Sequence, residues 1–375
     1  MSTTLSQQEN PLRCLNAAGQ SVWYDHIHRA MLTTGELARL IAVDDLRGVT
    51  SNPTIFEKAI SGSCDYDAAL RQQLHSNPDQ SSRELFFALA LEDIRMTADL
   101  LLPVYQATEG VDGMVSLEVS PDLAYDTEAT LREARRLNAC LGRPNVMIKV
   151  PATRAGLPAI EQLIAEGINI NVTLLFSVDR YQQVVEAYLG GLEQRLAKDQ
   201  PIDRIASVAS FFVSRLDSLL DPLLAEKCPE LQGKIAIANA KLAYQRYQAL
   251  FTGARFAALA AAGARPQRLL WASTGTKNPA YSDVLYVENL IGSQTVNTMP
   301  PATYEAFRDH GVVAPTLEHD WETALAQLTR LSALGIDLAS ATDRLEAEGV
   351  AAFARAFSQV LAAIEDKTAN PAATA

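Results

Sequence analysis

Asn145-Val-Met-Ile-Lys-Val-Pro-Ala152 reads as a short buried strand: Val146, Met147, Ile148 and Val150 are apolar, and Pro151 ends the run. Lys149 sits in its middle. An ammonium in an apolar strand loses solvation, which favours the neutral amine. A neutral amine close to a carbonyl compound is the requirement for Schiff-base chemistry. An isolated lysine in such a strand is more often one whose stem snorkels to water. The neighbouring strands decide between the two readings.

Outward from this strand the chain alternates strand with helix. Strand patterns occur upstream at 21–25, 48–52 and 114–119, and downstream at 168–176, 205–213, 268–273 and 293–298. Between them lie helical patterns. Ser81 and Glu84 form a capping box for a helix to about Tyr105; others cover 127–141, 153–166 and 177–198, with a long helical region to about Ala262. Helices from about 302, 319 and 342 close the chain, and a polar arm precedes the first strand. Eight strands separated by helices, with no linker, predict an α/β fold: a single (β/α)8 barrel over residues 1–366 with extra helical segments at both ends. Residues 367–375 read as a frayed, disordered tail. The alternative, an open doubly wound sheet, lacks a Gly-rich phosphate loop after its first strand.

Composition narrows the class. Of 375 residues, 48% are apolar and 20% charged, enough for a full core. Cys14, Cys64, Cys140 and Cys228 are scattered without a C-x-x-C pair, as expected of reduced thiols in a cytoplasmic protein. The first dozen residues are polar, unlike a signal peptide, and no apolar run reads as membrane-length. A net charge of −12 argues against a nucleic-acid partner. An anionic substrate would need its own local cations.

Side chains two apart in a strand share a face. Thr50 with Asn52, Ser116 with Glu118, and Asn171 with Thr173 all have this spacing among apolar neighbours. One such pair is ordinarily a hydrogen-bonded polar layer inside a barrel. Consecutive strands that all carry polar groups toward one C-terminal mouth suggest a catalytic constellation. Lys149, Glu118, Asp25 and two carboxamides supply an amine nucleophile and proton transfer. A second cluster, Ser210, Arg215 and Ser273-Thr-Gly-Thr-Lys277, follows the sixth and seventh strands, where barrels commonly bind phosphate. The plain alternative is a surface ion pair of Arg215 with Asp217 or Asp221. His26 and His28 beside Asp25 could share a strand face as metal ligands, but no third histidine has suitable spacing, so no metal is expected.

These residues resemble the transaldolase family, in its longer bacterial branch. The resemblance is carried by Val49-Thr-Ser-Asn-Pro-Thr54, Ser116-Leu-Glu-Val-Ser120, Tyr125-Asp-Thr-Glu128, Ile148-Lys-Val-Pro151, Gly167-Ile-Asn-Ile-Asn-Val-Thr-Leu-Leu-Phe-Ser177, Ser210-Phe-Phe-Val-Ser-Arg215 and Trp271-Ala-Ser273. It implies a class I aldolase-type barrel that moves a dihydroxyacetone unit between sugar phosphates without a cofactor. In that mapping Lys149 forms the Schiff base. Glu118 acts through a water held by Thr173 and Asn171, and Asp25 exchanges a proton with the substrate hydroxyl. Asn52 and Ser210 hold hydroxyls, Thr50 supports the acids, and Arg215 and Ser273 bind phosphate.

One departure stands out. The family pattern has an arginine two residues after the serine matched to Ser273, and this chain has Gly275 there. Lys277 is the nearby substitute, as a point charge rather than a fork. Two other functions compete with transfer: a fructose 6-phosphate aldolase-like lyase, and a non-catalytic binding barrel. Phe212, where the aldolase relatives tend to carry tyrosine, favours transfer, and the presence of Lys149, Glu118 and Asp25 together argues against a dead barrel. Monomer and homodimer both remain open. The apolar segment around Phe353 and Phe357 is expected to pack on the barrel and cover the site.

Overall fold

In the computed structural model, which describes residues 10–369, eight parallel strands close into a barrel in chain order. They are β1 (Gln20–Tyr24), β2 (Gly48–Val49), β3 (Met114–Glu118), β4 (Val146–Pro151), β5 (Ile170–Leu175), β6 (Ser207–Phe212), β7 (Arg268–Ala272) and β8 (Thr295–Met299). β1 pairs with β8 from Gln20↔Thr295 to Tyr24↔Met299, which closes the cylinder. Every strand residue is buried, because helices cover the outer face and side chains fill the interior. This is the predicted (β/α)8 barrel.

Local chemistry sets the element ends. β2 opens on Gly48, over which Trp23 lies: an added Cβ there would come within 2.4 Å of the indole. Thr50 to Asn52 lie beyond the strand, and Asn52 caps the helix Pro53–Ser61 by accepting the Ile55 N–H at 3.0 Å. The capping box of Ser81 and Glu84 is present and starts the helix Ser82–Ala107. β5 carries an irregularity between Val172 and Leu175, with Leu174 at φ 55°.

The extra helical segment expected before the barrel is Pro11–Ala17 in the polar arm, capped by Asn10 and anchored by buried Leu12 and Leu15. Two differences from the sequence reading have physical causes. The long helical region breaks into Ser214–Lys227, Ile235–Phe251 and Ala254–Ala261; the first break falls at Cys228, which precedes Pro229. The last helix, Leu338–Ala369, runs through the start of the expected tail. There Lys367 Nζ donates to Asp67 Oδ1 at 2.6 Å and to the Ser63 carbonyl at 2.8 Å. The remainder of that tail, 370–375, lies outside the described residues.

This C-terminal helix is also long and apolar enough, by length and composition, to cross a membrane, although scattered charged residues leave no unbroken apolar run in its sequence. Its apolar side, with Val350, Phe353, Phe357, Val360 and Ile364, is buried against the rest of the chain. At the opposite, N-terminal end of the barrel, Arg268 donates to Ser21 Oγ (2.7 Å), Asp112 Oδ1 (2.8 Å) and the Val111 carbonyl (2.7 Å). Ser21 Oγ in turn donates to Asp112 Oδ2 at 2.8 Å, so β7, β1 and the turn before β3 are tied together.

Candidate active site

The parallel register places Glu118 of β3, Lys149 of β4 and Asn171 of β5 side by side. Lys149 Nζ lies 3.7 Å from Glu118 Oε2 and donates to the Ser51 carbonyl at 3.1 Å. Both residues are buried, with 4% and 6% of their surface exposed, so Lys149 does not snorkel. Neither Glu118 carboxyl oxygen has a hydrogen-bond partner among the described residues, and neither does Thr173 Oγ1. Burial pushes the Glu118 carboxyl up to about 7; the nearby ammonium pulls it down, and the Asp25 charge pushes it further up.

Asp25 follows β1 directly, with its N–H donated to the Met299 carbonyl at 2.8 Å. Thr50 Oγ1 donates to Asp25 Oδ1 at 2.6 Å and lies 2.7 Å from Thr298 Oγ1. Burial raises the Asp25 carboxyl above its usual range, opposed by Lys149, the Thr50 hydroxyl and Arg215. Thr298 was not singled out from the sequence, although a polar residue near the end of the eighth strand is the same kind of signal as Thr50. Ser51 contributes through its backbone, which no side-chain pattern announces.

Beneath these groups lies a closed polar layer. Asn171 Nδ2 donates to Ser116 Oγ at 2.9 Å, and Ser210 Oγ donates to Asn171 Oδ1 at 2.6 Å. The polar pairs thus split by depth. Ser116 and Asn171 meet inside the barrel as a satisfied layer, while Glu118 and Thr173, two residues further along the same strands, keep hydrogen-bonding capacity.

Arg215, at the start of the helix after β6, pairs with neither nearby acid. Asp217 accepts from the Ala236 N–H and the Tyr286 hydroxyl, and Asp221 from the Gly233 N–H and the Tyr281 hydroxyl. The Arg215 guanidinium instead stacks over Phe212 and Phe353, 4.9 and 5.8 Å from the ring centroids. Ser273, at φ 56°, places its hydroxyl 2.9 Å from that of Ser214. Lys277 is exposed in the following loop and has no hydrogen bond or ion pair among the described residues. An added Cβ at Gly275 would lie 3.0 Å from Thr303 Oγ1 and 3.1 Å from Pro300 Cγ, so no longer side chain fits without displacing them.

The C-terminal helix covers this end of the barrel. An added Cβ at its Gly349 would lie 2.8 Å from Leu174 Cδ2 and 3.5 Å from Arg215 Nη1. Phe357, Phe56, Phe86 and Glu118 wall a residual space of about 10 Å³. The histidines lie aside: His28 caps the helix Arg29–Thr33, accepting the Met31 N–H at 3.4 Å. His26 is held down to about 4 by burial, with His28 and Lys58 adding to the effect. No three metal-ligating side chains cluster among the described residues.

A (β/α)8 barrel with a buried lysine and two carboxyls gathered at the C-terminal ends of its strands belongs, by fold and chemistry, with the barrel enzymes. Its sequence agrees. The family model for Transaldolase/Fructose-6-phosphate aldolase matches residues 22–364. The chain is 50% identical to a transaldolase of Parafrankia sp. (strain EAN1pec), over 96% of this chain and 99% of that protein. It is 45% identical to one of Trichodesmium erythraeum (96% and 97%) and 47% identical to one of Thiobacillus denitrificans (95% and 99%). The chain belongs to the transaldolase/fructose-6-phosphate aldolase family and is an enzyme of the transaldolase type.

Proposed function

We propose that the protein moves a dihydroxyacetone unit from sedoheptulose 7-phosphate or fructose 6-phosphate to glyceraldehyde 3-phosphate or erythrose 4-phosphate. This is a cytoplasmic, cofactor-independent step of the non-oxidative pentose phosphate pathway. The observation that carries the proposal is the buried pair of Lys149 Nζ and Glu118 Oε2, 3.7 Å apart, in a chain so similar to transaldolases.

The Lys149 amine attacks the ketose carbonyl. Glu118, through a water held at Thr173 with Asn171 beneath it, protonates the carbinolamine hydroxyl, which leaves as water and gives the iminium. Asp25 takes the proton of the hydroxyl next to the breaking carbon–carbon bond. The bonding electrons pass to the iminium, the aldehyde leaves, and an enamine remains on Lys149. Return of that proton to the acceptor's aldehyde oxygen accompanies formation of the new carbon–carbon bond, and hydrolysis releases the new ketose.

Thr50 holds Asp25 in place, supported by its 2.6 Å bond. Asn52, whose amide oxygen serves the helix cap, offers its NH₂ to substrate, and Ser210, whose proton goes to Asn171, accepts from a substrate hydroxyl. Arg215 and Ser273 take the phosphate. Covering of the mouth by the C-terminal helix keeps water from protonating the enamine before the acceptor arrives.

The test follows glyceraldehyde 3-phosphate release from fructose 6-phosphate, with and without erythrose 4-phosphate, in wild type and Lys149→Ala. Release that requires the acceptor and disappears in the variant is expected. Borohydride should also trap the dihydroxyacetone unit on Lys149. Sustained release without acceptor would assign the protein to the aldolases instead.

A further inference from the structure

Thr298 lies near the end of β8 and carries no role in the reaction set out above. Its orientation follows from the strand register. Ser210 pairs with Leu270 and Leu270 with Val296, so Val296 faces the same barrel interior as Ser210. Thr298, two residues further along β8, shares that face and is 2% exposed. A buried hydroxyl needs a partner, and among the described residues Thr298 Oγ1 has one: Thr50 Oγ1, at 2.7 Å.

The direction of that bond follows from counting protons. Thr50 has a single hydroxyl proton, and it goes to Asp25 Oδ1 at 2.6 Å. Thr50 Oγ1 must therefore accept from Thr298, and the chain runs from Thr298 through Thr50 to Asp25. With its donor and acceptor sites both used, Thr50 is held in one orientation, and its O–H is polarised toward the carboxylate. The next residue of β8 holds the same acid by its backbone, since the Met299 carbonyl accepts the Asp25 N–H at 2.8 Å. Asp25 Oδ1 is thus pinned, while no hydrogen bond among the described residues engages Oδ2. That oxygen is left to take the proton of the substrate hydroxyl. A polar layer that only fills the barrel looks different: Ser116 with Asn171 ends on neither acid nor amine. The Thr298 chain ends on the acid itself.

We propose that Thr298 is a positioning residue for Asp25, orienting through Thr50 the group that accepts the proton as the carbon–carbon bond breaks. The inference rests on the reaction proposed above. The proton that moves is the substrate's, from its hydroxyl to Asp25 Oδ2; the two threonine protons stay where they are. Thr298 therefore bears on the cleavage step and not on the attack of Lys149 at the ketose carbonyl.

Thr298→Val removes the hydroxyl, suits a strand, and puts a methyl group where a water could otherwise enter. With fructose 6-phosphate and erythrose 4-phosphate, its kcat should fall about tenfold, the worth of one buried hydrogen bond, with KM within about twofold of wild type. Borohydride quenching during turnover, read by mass spectrometry, should show more of the intact six-carbon sugar phosphate on Lys149 and less of the three-carbon unit. Thr298→Ser should restore both readings, and Thr298→Ala repeats the test should the valine variant not fold. Wild-type kcat in Thr298→Val would overturn the proposal. So would a lower kcat with the wild-type mixture of adducts, or a serine variant as slow as the valine one. Absence of any adduct on Lys149 in the wild type would instead overturn the reaction, and the role of Thr298 with it.

Discussion

A carboxyl that half-titrates at about 7 is a proton donor below neutrality and a base above it, and Glu118 is in that position because it is buried. If it delivers the proton that dehydrates the carbinolamine, this step should slow as pH rises through about 7. Glu118→Gln should remove that limb of the pH–rate profile and lower kcat/KM by about 10²–10⁴. The same shift bears on stability. The folded-state value lies above the 4.5 of an ordinary glutamate, so the folded chain binds the proton more tightly. The resulting stabilisation is fully present below pH 4.5 and is lost as pH rises through about 7. Thermal melting of wild type and Glu118→Gln at pH 5 and pH 8 should move in the variant's favour by on the order of 1–3 kcal/mol. Lys149, Glu118, Thr50 and Thr173 were legible because strand alternation and a strand-end position leave few choices for where a side chain points. Ser51 was not, since it acts through its carbonyl.

The C-terminal helix is the element on which the mouth depends. Phe357 sits against Phe86 and Phe87, with ring centroids at 5.2 and 6.4 Å, and under the Arg83 guanidinium at 5.2 Å. Phe357→Ala should therefore cost about 3–5 kcal/mol in a denaturant titration, as a large core truncation does. Gly349 is a different kind of position, because Leu174 and Arg215 crowd the place of its missing side chain. Gly349→Leu should introduce about 1–3 kcal/mol of overpacking strain. Because the strain falls on Leu174 and Arg215 at the mouth, kcat should fall as well, about tenfold for about 1.4 kcal/mol, which steady-state kinetics would register. The apolar periodicity around Phe353 identified a packed helix. It did not reveal that Gly349 faces an arginine, because a glycine has no side chain whose polarity or size could be read.

For the whole molecule, the alternation of strands and helices made the barrel legible, since each element carries its own period and the connections are short. The N-terminal floor was less so: Arg268, Ser21 and Asp112 are distant in sequence and meet only when the cylinder closes. Arg268→Met leaves the buried Asp112 with only Arg47, 3.6 Å away, and the Ser21 hydroxyl, and should cost about 1–3 kcal/mol in chemical denaturation, with kcat and KM unaffected. At the other end, the helix that covers Lys149 is also the segment made after all eight strands. During translation the eight strands leave the ribosome before it, and a barrel that closes early exposes its lysine to cellular aldehydes until residues 338–369 emerge. A ribosome-stalled chain ending before Leu338 should then lose selectivity, labelling at Lys149 with simple aldehydes plus borohydride that react little with the chain carrying residues 338–369.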